Sequence, residues 1–271
     1  MTYGQELSID TIRQLAPSVF AEQAWPGMSD KYHFIPTADI LHGLMKEGFR
    51  PVSAQQSVVR VAGQHEYAKH ILRFRHASAL TSADIKKALH NGEEVPEITV
   101  VNAHNGAGAY QLNGGFYRFA CSNKMIVECK EFMTVRVKHI GTGLVDKVIE
   151  GAYRVIADMP AIGDQIKRWK SLELSAEQRT AFAEEGATIR GTALVIPPAE
   201  LLTAYRTADK GTDLYSTLNV VQENLTRGGQ QARTRSGRRA TVKGISGVNA
   251  DIDTNRGLWN LASEMEMLIA A

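Results

Sequence analysis

Several residues in this chain are of types that do chemistry. They are Cys121 and Cys129, His70, His76, His104 and His139, Asp251 and Asp253, and the glycine-rich HNGAGAY at 104–110. Their spacing argues against most of that chemistry. Cys121 and Cys129 stand eight positions apart, too wide for the close pair of a structural zinc site. Nothing near Cys121 would depress its pKa, so it reads as a small core residue. HNGAGAY lacks the Gly-Lys-Ser/Thr of a phosphate loop, and its Asn105-Gly106 is the favoured dipeptide of a tight hairpin turn. His70 and His76 fall on one face of a strand pattern, the face that reads as partly core. Asp251 and Asp253, in NADIDTNR, read as a loop entering a helix. With no paired-carboxylate, triad or metal-ligand spacing, the expectation is a non-catalytic protein with no cofactor and no bound metal.

Positive charge is the chemistry that does concentrate. RGGQQARTRSGRRATVK, residues 227–243, holds Arg227, Arg233, Arg235, Arg238, Arg239 and Lys243 and no acid, in a chain of formal net charge +2. A basic element on a nearly neutral body implies a local anion-binding surface. Its Gly, Ser, Thr and Gln content predicts a flexible loop, tethered between two helices. A second basic signal comes from strand patterns. In EYAKHILRFRHAS, residues 66–78, Lys69, Ile71, Arg73 and Arg75 alternate onto one face, with His70, Leu72, Phe74 and His76 on the other. In EFMTVRVKHIG, residues 131–141, Arg136 and Lys138 share the polar face. With Arg118 these cations form a candidate DNA-binding sheet face, and Tyr110, Phe116 and Tyr117 are candidate stacking groups.

These residues must be placed by elements that the sequence also predicts. A short helix spans about 5–20, and a second about 38–47, capped by Thr37 and ended by Gly48. Strands follow at 49–63 and 66–78, a hairpin at 97–112 turning at Asn105-Gly106, a helix or turn near 114–128, and a strand at 131–141. From 142 the period is helical, with Pro160 expected to kink or restart the first helix. Further helices are predicted at 175–187, 213–227 and about 252–270, with Pro197-Pro198 as a linker. The order points to α+β: an antiparallel twisted sheet with helices packed on it, then a helical C-terminal part. The predicted division is a core at 1–160 and a helical part at 161–271 that carries the basic loop, the two forming one compact unit.

The 271 residues, 44% of them hydrophobic, suffice for a sizeable core. No long apolar window suggests a membrane span, and the N-terminus lacks the apolar region of a signal peptide. Two cysteines are too few for a disulfide framework, so a reduced, cytoplasmic protein is expected.

VPEITVVNAHNGAGAYQL, FYRFACSN, VRVKHIG, VIEGAYRV, NVVQENLTRGG and NADIDTNRGLW resemble a family found on conjugative plasmids and prophages. That family is catalogued as a domain of unknown function and as plasmid or phage-like proteins. The resemblance runs from about residue 15 to the end and rests on Asn102, His104, Gly106 and Tyr110, on Phe116, Arg118, Cys121 and Asn123, and on Asn255, Arg256 and Trp259. It implies a mobile-element setting and no particular activity. The order of elements also resembles the core of ring-forming single-strand annealing proteins, which include the eukaryotic annealing recombinase and its phage relatives. That likeness implies a homo-oligomeric ring or arc that holds single-stranded DNA along a basic groove, anneals complementary strands and serves recombination, with no nucleotide or catalytic metal. Two alternatives stand beside it: an anti-defence or anti-restriction protein that binds a host protein, and a metal-dependent nuclease using His104, Asp251 or Asp253.

Overall fold

The computed structural model describes residues 5–29, 32–76, 94–118, 123–126, 135–137 and 144–270. The fold is α+β. Its contacts divide the chain into two compact units, Met1–Met159 and Pro160–Ala271.

In the first unit, helix α1 (Ile9–Leu15) is capped by Ser8, whose hydroxyl accepts from the Thr11 backbone N–H at 3.1 Å. Helix α2 (Thr37–Lys46) buries the predicted stripe of Ile40, Leu41 and Leu44. Its cap is Pro36 rather than Thr37, because the Thr37 hydroxyl is committed to a buried network described below. Strands β1 (Phe49–Gln56), β2 (His70–His76), β3 (Glu94–Asn102), β4 (Tyr110–Arg118) and β5 (Asn123–Ile126) follow in spatial order, and β6 (Val135–Val137) also pairs with β4. Every pairing is antiparallel. On one sheet face Leu72, Phe74, Ile98, Val100 and Leu112 join Ile12, Val19, Leu41, Leu44 and Phe49 in a buried apolar core. Each such side chain contributes roughly 1.5–3 kcal/mol of transfer free energy.

Three strand expectations are corrected. The first predicted strand ends at Gln56, and the second begins only at His70. The β3–β4 connection is not a two-residue turn: it spans 103–109, and Asn105 Oδ1 accepts from the Ala107 N–H at 3.2 Å instead of closing a tight hairpin. Residues 114–118, expected as a helix or turn, continue β4, where Gly114 and Gly115 face Ile98 and Glu97 of β3.

Helix α3 (Leu144–Ser171) gives its residues up to Met159 to the first unit and the rest to the second. It runs helically through Pro160, whose ring nitrogen has no N–H to return to the Ile156 carbonyl; of the kink or restart expected there, the restart does not occur. The second unit continues with α4 (Ala176–Ile189), the short α5 (Pro198–Leu201), α6 (Leu214–Arg227), strands β7 (Gln231–Arg233) and β8 (Arg239–Thr241), and α7 (Val248–Ala270). Helix α4 opens with a full capping box between Ser175 and Gln178. Helix α6 is capped by Asp213 and is buried on all sides from Leu214 to Leu225. Trp169 and Trp259 meet at 4.4 Å between ring centroids, and Glu266 accepts from both Trp169 Nε1 at 2.7 Å and Arg168 Nε at 2.8 Å. Burial pushes the Glu266 carboxyl up, but these donors outweigh it and hold the group below its ordinary value. Asp251 and Asp253 lie inside α7, not in a loop before it. Among the described residues no helix is long and apolar enough to cross a membrane.

Candidate nucleic-acid interface

The predicted basic strand face exists in register but not in exposure. Ser53, Arg73, Thr99 and Asn113 are cross-strand partners in one row over β1–β4, and Glu97 follows Arg75 in the next. Arg73 and Arg75 are 1% exposed and Lys69 is also buried. Arg75 donates from Nε and Nη2 to Glu97 Oε1 at 2.8 and 2.6 Å, and Arg73 Nη1 stands 3.8 Å from Glu97 Oε2. The correction has a simple cause. Alternation assigns residues to faces, but it does not say which face is covered; here both are, and a buried guanidinium needs a carboxylate. Lys69, Arg73 and Arg75 therefore present no open surface to DNA. Of Arg118 and Arg136 only the strand positions are described, and the same holds for Phe116 and Tyr117. Lys138, His139, Cys121 and Cys129 lie outside the described residues. Tyr110, the other stacking candidate, is buried, and burial raises its phenol well above the usual value.

The opposite side of the sheet holds a polar network inside the apolar core. His70 Nδ1 lies 3.0 Å from the Ala68 carbonyl and 2.8 Å from Ser18 Oγ, and His70 Nε2 lies 2.9 Å from Thr37 Oγ1. Thr37 Oγ1 also meets Asn102 Nδ2 at 2.9 Å and His104 Nε2 at 3.3 Å. Valence assigns the protons. The carbonyl of Ala68 only accepts, so His70 Nδ1 carries a hydrogen and Nε2 accepts from the Thr37 hydroxyl. Thr37 Oγ1 then accepts from Asn102 and His104. Burial lowers His70 to a pKa of about 4, against a smaller raising effect of the Ala68 carbonyl, which fits this neutral ring. Ser18, Thr37, His70 and Asn102 are all buried, and the network ties residues 17–20 and α2 to β2 and β3.

Among the described residues, a dense run of exposed positive charge lies in the second unit. The run expected to be a flexible loop is an ordered hairpin. β7 pairs with β8 through Gln231↔Thr241, Ala232↔Ala240 and Arg233↔Arg239, and Val195 adds a bridge to Arg233 on the outer side of β7. Ala232 and Val242 turn inward and are buried, which anchors a segment with few apolar residues. At the tip, Thr234 exchanges backbone hydrogen bonds with Arg238 and Gly237, and Arg233 Nη1 donates to the Gly237 carbonyl at 3.1 Å. Gly237 takes the left-handed backbone, φ 83°, that such a turn requires.

Two further glycines close the base. A Cβ on Gly228 would stand 2.4 Å from the Gly244 nitrogen, and one on Gly244 would stand 2.6 Å from the Arg227 carbonyl. The two chain segments thus touch backbone to backbone. Arg190 completes the closure by donating to the Leu225 carbonyl at 3.3 Å and the Lys243 carbonyl at 2.9 Å. Asn224 and Gln230, both buried, lock the inner side through the Gln230 Nε2 bond to Asn224 Oδ1 at 3.1 Å.

All six predicted cations of this run, Arg227, Arg233, Arg235, Arg238, Arg239 and Lys243, are exposed. Arg233 and Arg239 are direct cross-strand neighbours on the outer face. Among the described residues, the side chains of Arg235, Arg238, Arg239 and Lys243 make no ion pair or hydrogen bond. Sequence reasoning found these residues but missed Tyr205, whose ring lies 4.7 Å from the Arg227 guanidinium carbon. It also missed Glu97 as the counter-charge of the buried arginines. A lone acid in VPEITVV was the available signal.

Comparison with known proteins agrees with the resemblance read from the sequence. A family model described as Domain of unknown function (DUF932) matches residues 27–256. UPF0380 protein YafZ of Escherichia coli (strain K12) is 34% identical over 262 residues, covering 96% of this chain and 91% of that protein. UPF0380 protein YfjQ of the same organism is 33% identical with the same coverage. No solved structure matches. With the family model spanning most of its length and two relatives aligned along nearly all of it, the chain belongs to the DUF932 family.

Proposed function

We propose that the protein binds single-stranded DNA through the hairpin of its second unit and, as a homo-oligomeric ring or arc, brings complementary strands together in the recombination of a plasmid or phage. It acts by holding phosphates and does no bond chemistry. One observation carries the reading: Arg233 and Arg239 stand directly opposite each other on an ordered, solvent-facing strand pair, and neither forms an ion pair with a described acid. Like charges placed directly opposite each other are destabilising. A bound polyanion removes that cost and releases its counterions, which favours binding strongly at low salt. Phosphate contacts leave base edges available, as annealing requires.

The sheet arginines have no part in this reading. Fluorescence anisotropy with a labelled oligonucleotide, across a salt series, tests it. The expected result is tight binding at low salt with a steep salt slope, flattened when Arg233, Arg235, Arg238 and Arg239 are replaced by Gln. Annealing of complementary labelled strands and mass by light scattering test the mediator and ring. Absence of binding at low salt overturns the DNA reading, and a strict monomer overturns the ring.

A further inference from the structure

Cations that grip phosphate do not by themselves distinguish an unpaired strand from a duplex. An exposed aromatic face does, because every unpaired base has a flat surface that stacks. In the second unit the exposed aromatic is Tyr205, 50% exposed. One face of its ring is covered by Arg227, whose guanidinium carbon lies 4.7 Å from the ring centroid.

The position is held from both sides. The Thr203 carbonyl accepts from Asn224 Nδ2 at 3.0 Å, and Arg206 is fixed by Asp209 at 2.8 Å and by a short contact to Glu223. Residues two before and one after Tyr205 are thus fastened to the region around the buried α6, so the ring needs little ordering when a ligand arrives. Arg227 is 60% exposed, and its pairing with Glu223, at 3.9 Å, is too long for a hydrogen bond. Its N–H donors remain available to an oxygen acceptor while its flat face covers the ring. Arg227 is also the last residue of α6, six positions before Arg233. That length of chain spans at most about 20 Å. The ring and the hairpin cations therefore lie within reach of one short stretch of nucleic acid.

We propose that Tyr205, capped by Arg227, is a stacking site for one unpaired nucleobase, with the hairpin arginines on the flanking phosphates. The inference rests on the nucleic-acid reading above and adds the element that selects a single strand. Three probes separate the two: an oligothymidine, its duplex with oligoadenine, and heparin, a polyanion without bases. Tyr205→Ala weakens oligothymidine binding by roughly 5- to 150-fold, the loss of one base–aromatic stack. The same variant leaves duplex and heparin binding within about twofold, and Tyr205→Trp restores oligothymidine binding. Near-ultraviolet crosslinking of a bromodeoxyuridine oligonucleotide to the unaltered protein yields an adduct at Tyr205. An unchanged oligothymidine affinity in Tyr205→Ala, or an equal loss on all three probes, overturns the stacking site while the hairpin reading stands. An unaltered protein that binds none of the three overturns the hairpin reading and the stacking site with it. Thermal melting of each variant separates lost stacking from lost folding.

Discussion

Two pairs of arginines, built on the same element type, meet opposite fates in this molecule. Arg73 and Arg75 sit on β2, 1% exposed, with Glu97 between them; Arg233 and Arg239 sit on β7 and β8, exposed, and form no ion pair with a described acid. Both are strand arginines on one face. The difference lies in what surrounds them. A guanidinium removed from water must have a carboxylate, and once it has one it is part of the core. A guanidinium left in water beside another is slightly costly to the fold and keeps its full capacity for an anionic ligand. Basic composition on a strand is therefore no measure of an interface; the counter-charge is.

The comparison breaks most easily at Glu97. Replacing Glu97 by Ala removes the carboxylate that two buried guanidiniums face and costs roughly 3–5 kcal/mol, read from the denaturant midpoint. If that variant were fully stable yet bound DNA poorly, Arg73 and Arg75 would be a ligand site after all. Next in size is Gly228→Ala. The new Cβ meets the Gly244 backbone at 2.4 Å from a residue at φ 73° and costs roughly 1–3 kcal/mol, with misplacement of the hairpin. DNA binding falls with it if the exposed arginines need their ordered pairing.

A third test sets the two regions against pH. His70 has a folded pKa of about 4 against an unfolded 6.5, so between those values the unfolded chain holds more protons than the folded one. Stability therefore falls as pH drops, by about 2 kcal/mol from pH 7 to pH 5. The hairpin run 227–243 holds no histidine, so its own contribution to binding does not share that slope. A His70→Gln variant removes this slope from the melting curves. The smallest effect on stability is expected of Arg233→Gln with Arg239→Gln, which changes it by no more than about 0.5 kcal/mol, in the stabilising direction. The same change lowers the salt slope of single-strand binding by about 1.4. A large loss of stability in this variant would make the exposed pair structural and erase the contrast.

Sequence patterning reached the fold class, the stripe of α2, the alternation of β2, the helices α4, α6 and α7, and all six exposed cations of 227–243. It failed where a local signal competed with a distant partner. Thr37 has the right type for a helix cap, but His70, His104 and Asn102 claim its hydroxyl from far along the chain. Asn105-Gly106 favours a tight turn, but the carbonyl of the adjacent His104 accepts from the Trp25 N–H and its own N–H donates to the Tyr67 carbonyl, and the connection widens to 103–109. The run at 227–243 reads as flexible because it has few apolar residues; Ala232 and Val242 suffice as anchors once Gly228 and Gly244 bring its ends together. Tyr205 was invisible to patterning because one exposed ring in a turn has no period.

The backbone contact between Gly228 and Gly244 also bears on how this family could diversify. A segment whose two ends already touch is a cassette: its tip can be lengthened, shortened or rewritten without moving the helices on either side. The entropic cost of a longer tip grows only with the logarithm of its length, about 0.6 kcal/mol for each doubling. Changes of ligand preference are thus inexpensive at residues 234–238 and expensive at the two glycines. Relatives would be expected to vary in charge and length at the tip while keeping the clasp.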